Sequence, residues 1–413
     1  MAPRSLPGFL SRRHFLRNSG GGVVAASALA APALAQGGGG SLPTQATGRP
    51  MPKMEVAQPD APGRRVGYAV LGLGQYALNQ IIPAFGETQH SRLVALVSGN
   101  RQKAEGVADR YGVRREAIYG YQDLERIAEN DEIDVVYVIT PPSLHEEFTV
   151  RSLRAGKHVL CEKPMAPSVE ACQRMIDAAR QADRQLMIGY RCHYEPYSLE
   201  AIRRIRAGEL GEVRVLHTDN ARPVNPDSVP ADEWRVRRAL AGGGALFDVG
   251  IYGVNGARYL LGAEPEEVSA WSHTPDDPRF GDVEDVTTWR MRFPGGVTVL
   301  GSTGYSYQAN RFAVQGSKAS LLMEPATHYY RHGMSIRTQQ KTEQLLIPEA
   351  SQFARQLDHM AEAIREGQPV HSPGEEGMQD VRLMLAMYRA AQTGQPVKID
   401  WSYRRAARLG EAG

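Results

Sequence analysis

Val66-Gly67-Tyr68-Ala69-Val70-Leu71-Gly72-Leu73-Gly74-Gln75-Tyr76-Ala77 is the stretch on which the fold turns. A six-residue apolar run leads into G-x-G-x-x-A, and a helical pattern continues to about Phe85. Strand before and helix after is the setting in which this glycine pattern binds a dinucleotide. Gly72 permits the tight turn, Gly74 lets the backbone approach a pyrophosphate, and Ala77 keeps the helix close to the sheet. The helix N-terminus adds unpaired amide donors and the positive end of its dipole. Gln75 and Tyr76, inside the turn, complete the set expected to face the cofactor.

Outward from this segment the alternation of strand and helix is maintained. Residues 93–98, 134–140, 158–161 and 186–190 read as strands, each separated from the last by helical pattern. That order predicts a Rossmann-type, doubly wound parallel sheet. The second strand ends Leu96-Val97-Ser98-Gly99-Asn100-Arg101-Gln102-Lys103. An NAD enzyme usually carries a carboxylate there for the ribose 2′-hydroxyl, and a carboxylate would repel a 2′-phosphate. Here a hydroxyl and two cations stand instead, so NADP is favoured, with Ser98 and Lys103 as cofactor contacts.

Beyond residue 187 the pattern changes to strands at 213–220, 267–272, 286–293, 297–305, 312–315 and 319–323, with Pro294-Gly295-Gly296 as a hairpin turn. Helices at 352–366 and 375–393 close the chain. The expected second unit is therefore an α+β domain with a large, mostly antiparallel open sheet packed against the cofactor site. The predicted organisation is 1–35 signal peptide, 36–64 Pro/Gly-rich arm, 65–187 NADP-binding domain and 188–413 substrate and oligomerisation domain.

Three places carry side chains suited to hydride-transfer chemistry. Glu162-Lys163-Pro164 follows a parallel strand, and ligands of open α/β sheets sit beyond the carboxyl ends of strands. Lys163 therefore points where a nicotinamide and its substrate would meet, with Glu162 beside the cofactor. Asp248 and Tyr252 are four residues apart on a predicted helix, hence on one side of it. Oxidising a sugar hydroxyl needs a base, and the same group returns a proton when a carbonyl is reduced. A tyrosine with its free pKa of about 10 needs help at neutral pH, and a neighbouring ammonium can supply it. Lys163 is the expected cation, Tyr252 the acid/base, and Asp248 the group that orients the lysine or the sugar hydroxyls. Tyr190-Arg191-Cys192-His193-Tyr194 is polar and aromatic where apolar core is expected, which makes Tyr190, Arg191 and Tyr194 candidate substrate contacts. Arg311 is a further candidate.

Composition narrows the class. With 42% hydrophobic and 23% charged residues the chain can build a sizeable soluble core, and its net charge of +2 offers no nucleic-acid surface. No apolar run reaches the roughly 18 residues a membrane span needs. Cys161, Cys172 and Cys192 are odd in number and widely spaced, so neither a disulfide framework nor a metal site is expected, and they read as buried apolar side chains. The first acidic residue is Glu55. Before it, Ser11-Arg12-Arg13-His14-Phe15-Leu16, an Ala/Gly-rich apolar stretch at 23–34 and Ala33-Leu34-Ala35 form a twin-arginine export signal in the correct order. The mature chain is expected to begin near Gln36, in the periplasm, after handling by the twin-arginine machinery.

Several segments also resemble a known family: Gly72-Leu73-Gly74, Val97-Ser98-Gly99-Asn100, Cys161-Glu162-Lys163-Pro164-Met165, Gly189-Tyr190-Arg191-Cys192-His193-Tyr194, Asp248-Val249-Gly250-Ile251-Tyr252-Gly253 and residues 372–380. From about Arg65 to Tyr403 the chain is similar to the glucose–fructose oxidoreductases of the bacterial periplasm, a branch of the Gfo/Idh/MocA-type dehydrogenases. The resemblance implies NADP held without dissociating, ping-pong oxidation of glucose to gluconolactone and reduction of fructose to sorbitol, and a homotetramer. It further implies Lys163 and Tyr252 as catalytic groups, Ser98 at the 2′-phosphate, and an arm that covers a neighbour's cofactor. The wider superfamily commonly has His where Tyr252 stands. Segments 222–231 and 328–349 read as freer loops able to reshape the sugar pocket.

Export and cofactor form one expectation. A nicotinamide enzyme sent folded into a compartment without free NADP must be loaded beforehand, and a second sugar must then take the hydride back. Alternatives are an aldose–aldose oxidoreductase, a conventional NADP-dependent aldose dehydrogenase, and a non-catalytic sugar or redox sensor.

Overall fold

The computed structural model describes residues 60–61, 64–224, 233–277, 280 and 282–400. The predicted signal peptide and nearly all of the predicted arm lie outside them. The first sheet has six strands, β1 (Val66–Leu71), β2 (Ser91–Val97), β3 (Ile118–Tyr119), β4 (Val135–Val138), β5 (His158–Glu162) and β6 (Leu186–Gly189). All pairings are parallel, in the order β3-β2-β1-β4-β5-β6. Between them run α1 (Arg101–Tyr111), α2 (His145–Arg154) and α3 (Val169–Ala182), helices of ten or more residues being numbered. Every residue of β1 and β4 is buried, because a parallel sheet covered on both faces needs continuous apolar strands. The Asn100 side chain caps α1 by accepting from the Lys103 amide, and Ser168 does the same for α3 at Ala171. Strand order reverses between β1 and β4, the switch point at which ligands of such sheets bind.

The second domain opens with α4 (Pro196–Arg206) and β7 (Val213–Ala221), followed by a widened π-helical turn, Leu246–Gly250, that runs into α5 (Ile251–Leu261). Then come β8 (Glu267–His273), β9 (Val286–Arg292), β10 (Thr298–Thr303), β11 (Ala309–Gly316), β12 (Ser320–Met323), β13 (Met334–Arg337) and β14 (Thr342–Leu345). The helices α6 (Gln352–Glu366) and α7 (Gly374–Thr393) and the short β15 (Val397–Lys398) complete it. The nine strands are ordered β14-β13-β12-β11-β7-β10-β9-β8-β15, and within this sheet β7–β10 is the one parallel pair among the described residues. α5 lies close on this sheet: a Cβ at Gly256 would stand 2.6 Å from the Phe312 ring on β11. The fold class is thus as expected, a parallel Rossmann sheet followed by a mostly antiparallel one, with the two-residue edge strand β3 added to the five strands read from the sequence.

Two features depart from the sequence reading. Segment 328–349 is not all loop, since β13 and β14 form an edge hairpin within it. β14 exposes nearly all of its side chains, while β13 alternates buried Met334 and Ile336 with Ser335 and Arg337 over only four residues, too short a run to read as a strand. α6 and α7 also pack back onto the first domain. Tyr68 donates to the Leu357 carbonyl, Asp358 accepts from the Gln89 and His90 amides, and Ser372 exchanges hydrogen bonds with Ile188 at the β6 edge.

Beneath the second sheet Arg258 of α5 is fully buried against Glu264, Glu376 and Asp380, and Asn255 donates to both α7 carboxylates. All three cysteines are buried free thiols. No described helix is long and apolar enough to cross a membrane.

Candidate active site

A cavity of about 1950 Å³ opens at the carboxyl ends of β1, β2, β4 and β5 and extends across the face of the second domain. That exceeds the roughly 300–1,000 Å³ of a pocket for one drug-sized ligand, and it leaves room for a dinucleotide with a sugar. Gly72, Gly74, Gln75 and Tyr76 line one end. Gly72 has φ +98°, and a Cβ there would lie 2.3 Å from the Ile139 carbonyl, so the turn requires glycine. A Cβ at Gly74 would meet nothing within 4 Å, which leaves its backbone open for a phosphate to approach. Ala77 is buried under the turn and does not line the cavity, in keeping with its packing role.

Ser98, Asn100, Lys103 and Tyr121 line the adjoining end. The Ser98 hydroxyl accepts from the Asn100 amide, so its own hydrogen can be given to a ligand oxygen. Burial lowers the pKa of Lys103. The loop at 98–103 places no carboxylate on the cavity, so these residues fit a phosphorylated ribose. Only one of the two expected cations is available: Arg101 turns away to Glu105 and to the Ile118 and Arg115 carbonyls.

Where β5 ends, Glu162 accepts from the Tyr137 hydroxyl at 2.6 Å and from the Lys163 amide at 3.2 Å, and burial raises its pKa. Lys163 meets Asp248 and Tyr252 as expected, but through different atoms. Its Nζ donates to the Asp248 main-chain carbonyl at 2.7 Å and lies 4.5 Å from the centre of the Tyr252 ring. The Asp248 carboxylate turns instead toward Arg222 at 3.4 Å, Arg235 at 3.6 Å and the Tyr305 hydroxyl at 3.3 Å. The π-helical turn explains this. Its wider winding abolishes the shared face that spacing of four gives in an α-helix. Burial works against the charged form of Asp248, yet Arg235, Lys163 and Arg222 together hold its carboxyl below the usual range. Burial also lowers the pKa of Lys163, against the pull of Asp248 and Glu162.

The expectation that Lys163 brings the Tyr252 phenol down needs correction. Burial pushes that phenol up to about 12, and the strongest opposing influence is Arg191. Arg191 lines the cavity, whereas Tyr190 and Tyr194 do not. Tyr190 is buried and stacks on His193, and Tyr194 is buried against His359, His371 and the Met187 sulfur. Core packing claims both rings because they follow β6 into the seam between the domains. Arg311 pairs with Asp219 away from the cavity.

Sequence reasoning passed over Trp234 and Arg235 and reached Arg222 and Tyr329 only as members of loops able to reshape the pocket; all four line the cavity. It also missed His145, whose Nε2 lies 2.7 Å from the Thr140 carbonyl and Nδ1 3.0 Å from that of Pro164. This buried ring, its pKa lowered to about 4 by desolvation, joins the loops after β4 and β5. A histidine opening a helix beside Glu146 and Glu147 gives no signal of such a bridge, and the arginines come from loops without periodicity.

A glycine turn at a sheet switch point, with a lysine and a tyrosine facing the cavity it opens into, defines a dinucleotide-dependent oxidoreductase. The chain belongs to the Gfo/Idh/MocA oxidoreductase family: residues 66–190 match its NAD-binding Rossmann fold and residues 202–399 its C-terminal alpha/beta domain. It is similar to D-xylose 1-dehydrogenase [NADP(+)] of Haloarcula marismortui, 29% identical over 81% of this chain and 93% of that protein. It is 30% identical to dTDP-3,4-didehydro-2,6-dideoxy-alpha-D-glucose 3-reductase of Actinomadura kijaniata, over 79% of this chain and 96% of the relative. Among solved structures, aldose–aldose oxidoreductase from Caulobacter crescentus, complexed with glycerol, superposes with a TM-score of 0.79 at 44% identity, covering 81% of this chain and all of the other.

Proposed function

We propose that this protein is an exported sugar oxidoreductase that retains NADP and passes hydride from the C1 of an aldose to a second sugar. The observation that carries the reading is the meeting of Lys163 and Tyr252 in a cavity continuous with the glycine turn and with Ser98 and Lys103. Bound nicotinamide would supply the hydride acceptor and, once reduced, the hydride donor. The chain's own residues handle the proton. The Tyr252 oxygen takes it from the C1 hydroxyl and returns one to the carbonyl of the acceptor. Lys163 holds its charge at the Tyr252 ring, and Asp248, fixed by Arg222, Arg235 and Tyr305, accepts from sugar hydroxyls.

Glucose giving gluconolactone, with fructose reduced to sorbitol, is one pairing this site would serve. Likeness to the aldose–aldose enzyme favours an aldose as the second sugar. The twin-arginine leader supports loading with cofactor before export to the periplasm. Self-association is supported by the open face of the second sheet, where strand register puts exposed Leu300 and Leu322 in one row and Trp271 on the same face two residues along. A homotetramer is the proposed assembly.

The test is to purify the mature protein without added nucleotide and add an aldose. Reduced-nicotinamide absorbance should rise, then vanish when an acceptor sugar follows, with ketoses and aldoses compared as acceptors. Absence of a signal, or a signal only with supplied NADP, overturns the retained-cofactor reading. Tyr252→Phe should abolish turnover, and a variant that keeps it removes Tyr252 from the acid/base role.

A further inference from the structure

Arg191 leaves the end of β6 and places its guanidinium between two phenol rings. Its Cζ lies 4.7 Å from the centre of the Tyr252 ring and 4.6 Å from that of Tyr329. The side chain is only 3% exposed. Nη2 donates to the Thr327 carbonyl at 2.7 Å, and Nη1 to Gln352 Oε1 at 2.6 Å and the His328 carbonyl at 3.1 Å. Gln352 donates in turn to the His328 and Tyr329 carbonyls. All these partners are neutral acceptors, so no carboxylate cancels the cation here. The loop between β12 and β13 and the start of α6 hold the cation in one orientation.

We propose that Arg191 is a positioning residue for the reaction: besides Lys163, it supplies a second fixed positive charge that acts on the Tyr252 phenol. The inference rests on Tyr252 being the acid/base. Both cations lie over the Tyr252 ring, Lys163 with its ammonium bonded to the Asp248 carbonyl. Arg191 has a rigid fork whose remaining nitrogen, Nε, is buried without a hydrogen-bond partner. A cation so desolvated acts on a neighbouring phenol far more strongly than one in water.

The groups facing Tyr252 are few enough to assign. Glu162 from β5 and Cys192 beside Arg191 oppose the phenolate, as burial does, while the charge of Arg191 favours it. Tyr76 and Tyr329 face the same space as neutral phenols. Asp248 is compensated by Arg222 and Arg235. Removing Arg191 therefore leaves the influences that raise the phenol without their chief counterweight.

The sign follows. Sugar oxidation needs the deprotonated phenol, so its rate climbs with pH through the Tyr252 pKa, and loss of a stabilising cation moves that climb upward. The experiment follows the rate of nicotinamide reduction by an aldose against pH in the full mature enzyme with its nucleotide bound. Arg191→Met should move the rise by about one pH unit or more, as expected for loss of one adjacent charge. Arg191→Lys should recover part of the shift. Gln352→Leu keeps the charge but loosens the fork, and it should give a smaller shift in the same direction. It also serves if Arg191→Met does not fold. A residue that merely packs would lower the rate at every pH and leave the position of the rise unchanged. That result in Arg191→Met, or in Gln352→Leu if only that variant folds, overturns the inference. Full turnover in Tyr252→Phe would instead overturn the acid/base reading beneath it, so the two failures are distinguishable.

Discussion

The ammonium of Lys163 reaches the main-chain carbonyl of Asp248 at 2.7 Å, joining residues 85 apart in sequence. The loop after β5 and the turn that precedes α5 thereby share one anchor, made by backbone and not by a carboxylate. Asp248→Asn keeps this anchor and should act mainly on sugar affinity, raising KM with a smaller effect on kcat. Lys163→Met removes it together with the charge at Tyr252, and kcat should fall by about 10²–10⁴-fold. Steady-state kinetics on both variants separates the roles. Equal changes in KM and kcat for the two would contradict it.

Ser98 and Lys103 set the expected preference for a phosphorylated ribose. Lys103→Glu places a carboxylate against that phosphate and should shift the nucleotide preference from NADP toward NAD by roughly tenfold or more, about 1.4 kcal/mol. Nucleotide released on denaturation, identified by chromatography, reports the change. Arg101→Glu serves as the control, since that side chain points away and should leave the preference alone.

Arg258 has no exposed surface and neutralises Glu376 and Asp380, which are equally buried. Arg258→Met leaves both carboxylates without their cation and should cost about 3–5 kcal/mol of stability. Adding Asp380→Asn should return part of the loss, because one of the stranded charges is then gone. Chemical denaturation of the single and double variants measures both steps.

Acid sensitivity should arise from a half-buried imidazole pair. His359 and His371 lie with ring centres 4.0 Å apart, and the His371 amide donates to His359 Nε2. Burial, then the neighbouring His371, lowers the His359 pKa from 6.5 to about 3. The unfolded chain then takes a proton below pH 6.5 that the folded protein refuses. Stability contributed by His359 is intact above pH 6.5 and declines as pH falls toward 3, by at most about 1.4 kcal/mol per pH unit. Glu195, raised by burial to about 7, contributes with the opposite sign between its folded and unfolded values. His359→Gln retains an acceptor for His371 without a titrating ring, so its Tm should decline less between pH 6.5 and 4.5. Parallel slopes for wild type and variant would remove His359 from the account.

Five strands of the first sheet were readable because they have apolar centres and the glycine turn has fixed spacing, whereas the two-residue β3 is too short to show a pattern. Positions facing the cavity along that turn followed directly from the motif. Tyr190 and Tyr194 were misassigned because polarity at the end of a strand cannot distinguish a pocket wall from a seam between domains, and here the seam holds both rings. Asp248 and Tyr252 were read on an α-helical period, and a π-helical turn, which leaves no compositional trace, rotated one away from the other. Arg222, Arg235 and Tyr329 enter the cavity from segments without periodicity, where only the tertiary fold gives a side chain its direction.

The bonds that α6 and the segment before α7 make to β1, to the entry of β2 and to β6 constrain how this molecule could open. The polypeptide leaves the first lobe after β6 and is fastened back onto that strand by Ser372 and Pro373, so the crossing is pinned on both sides. A clamshell swing about a single linker would break these ties together. Traffic into the cleft is left to its rim.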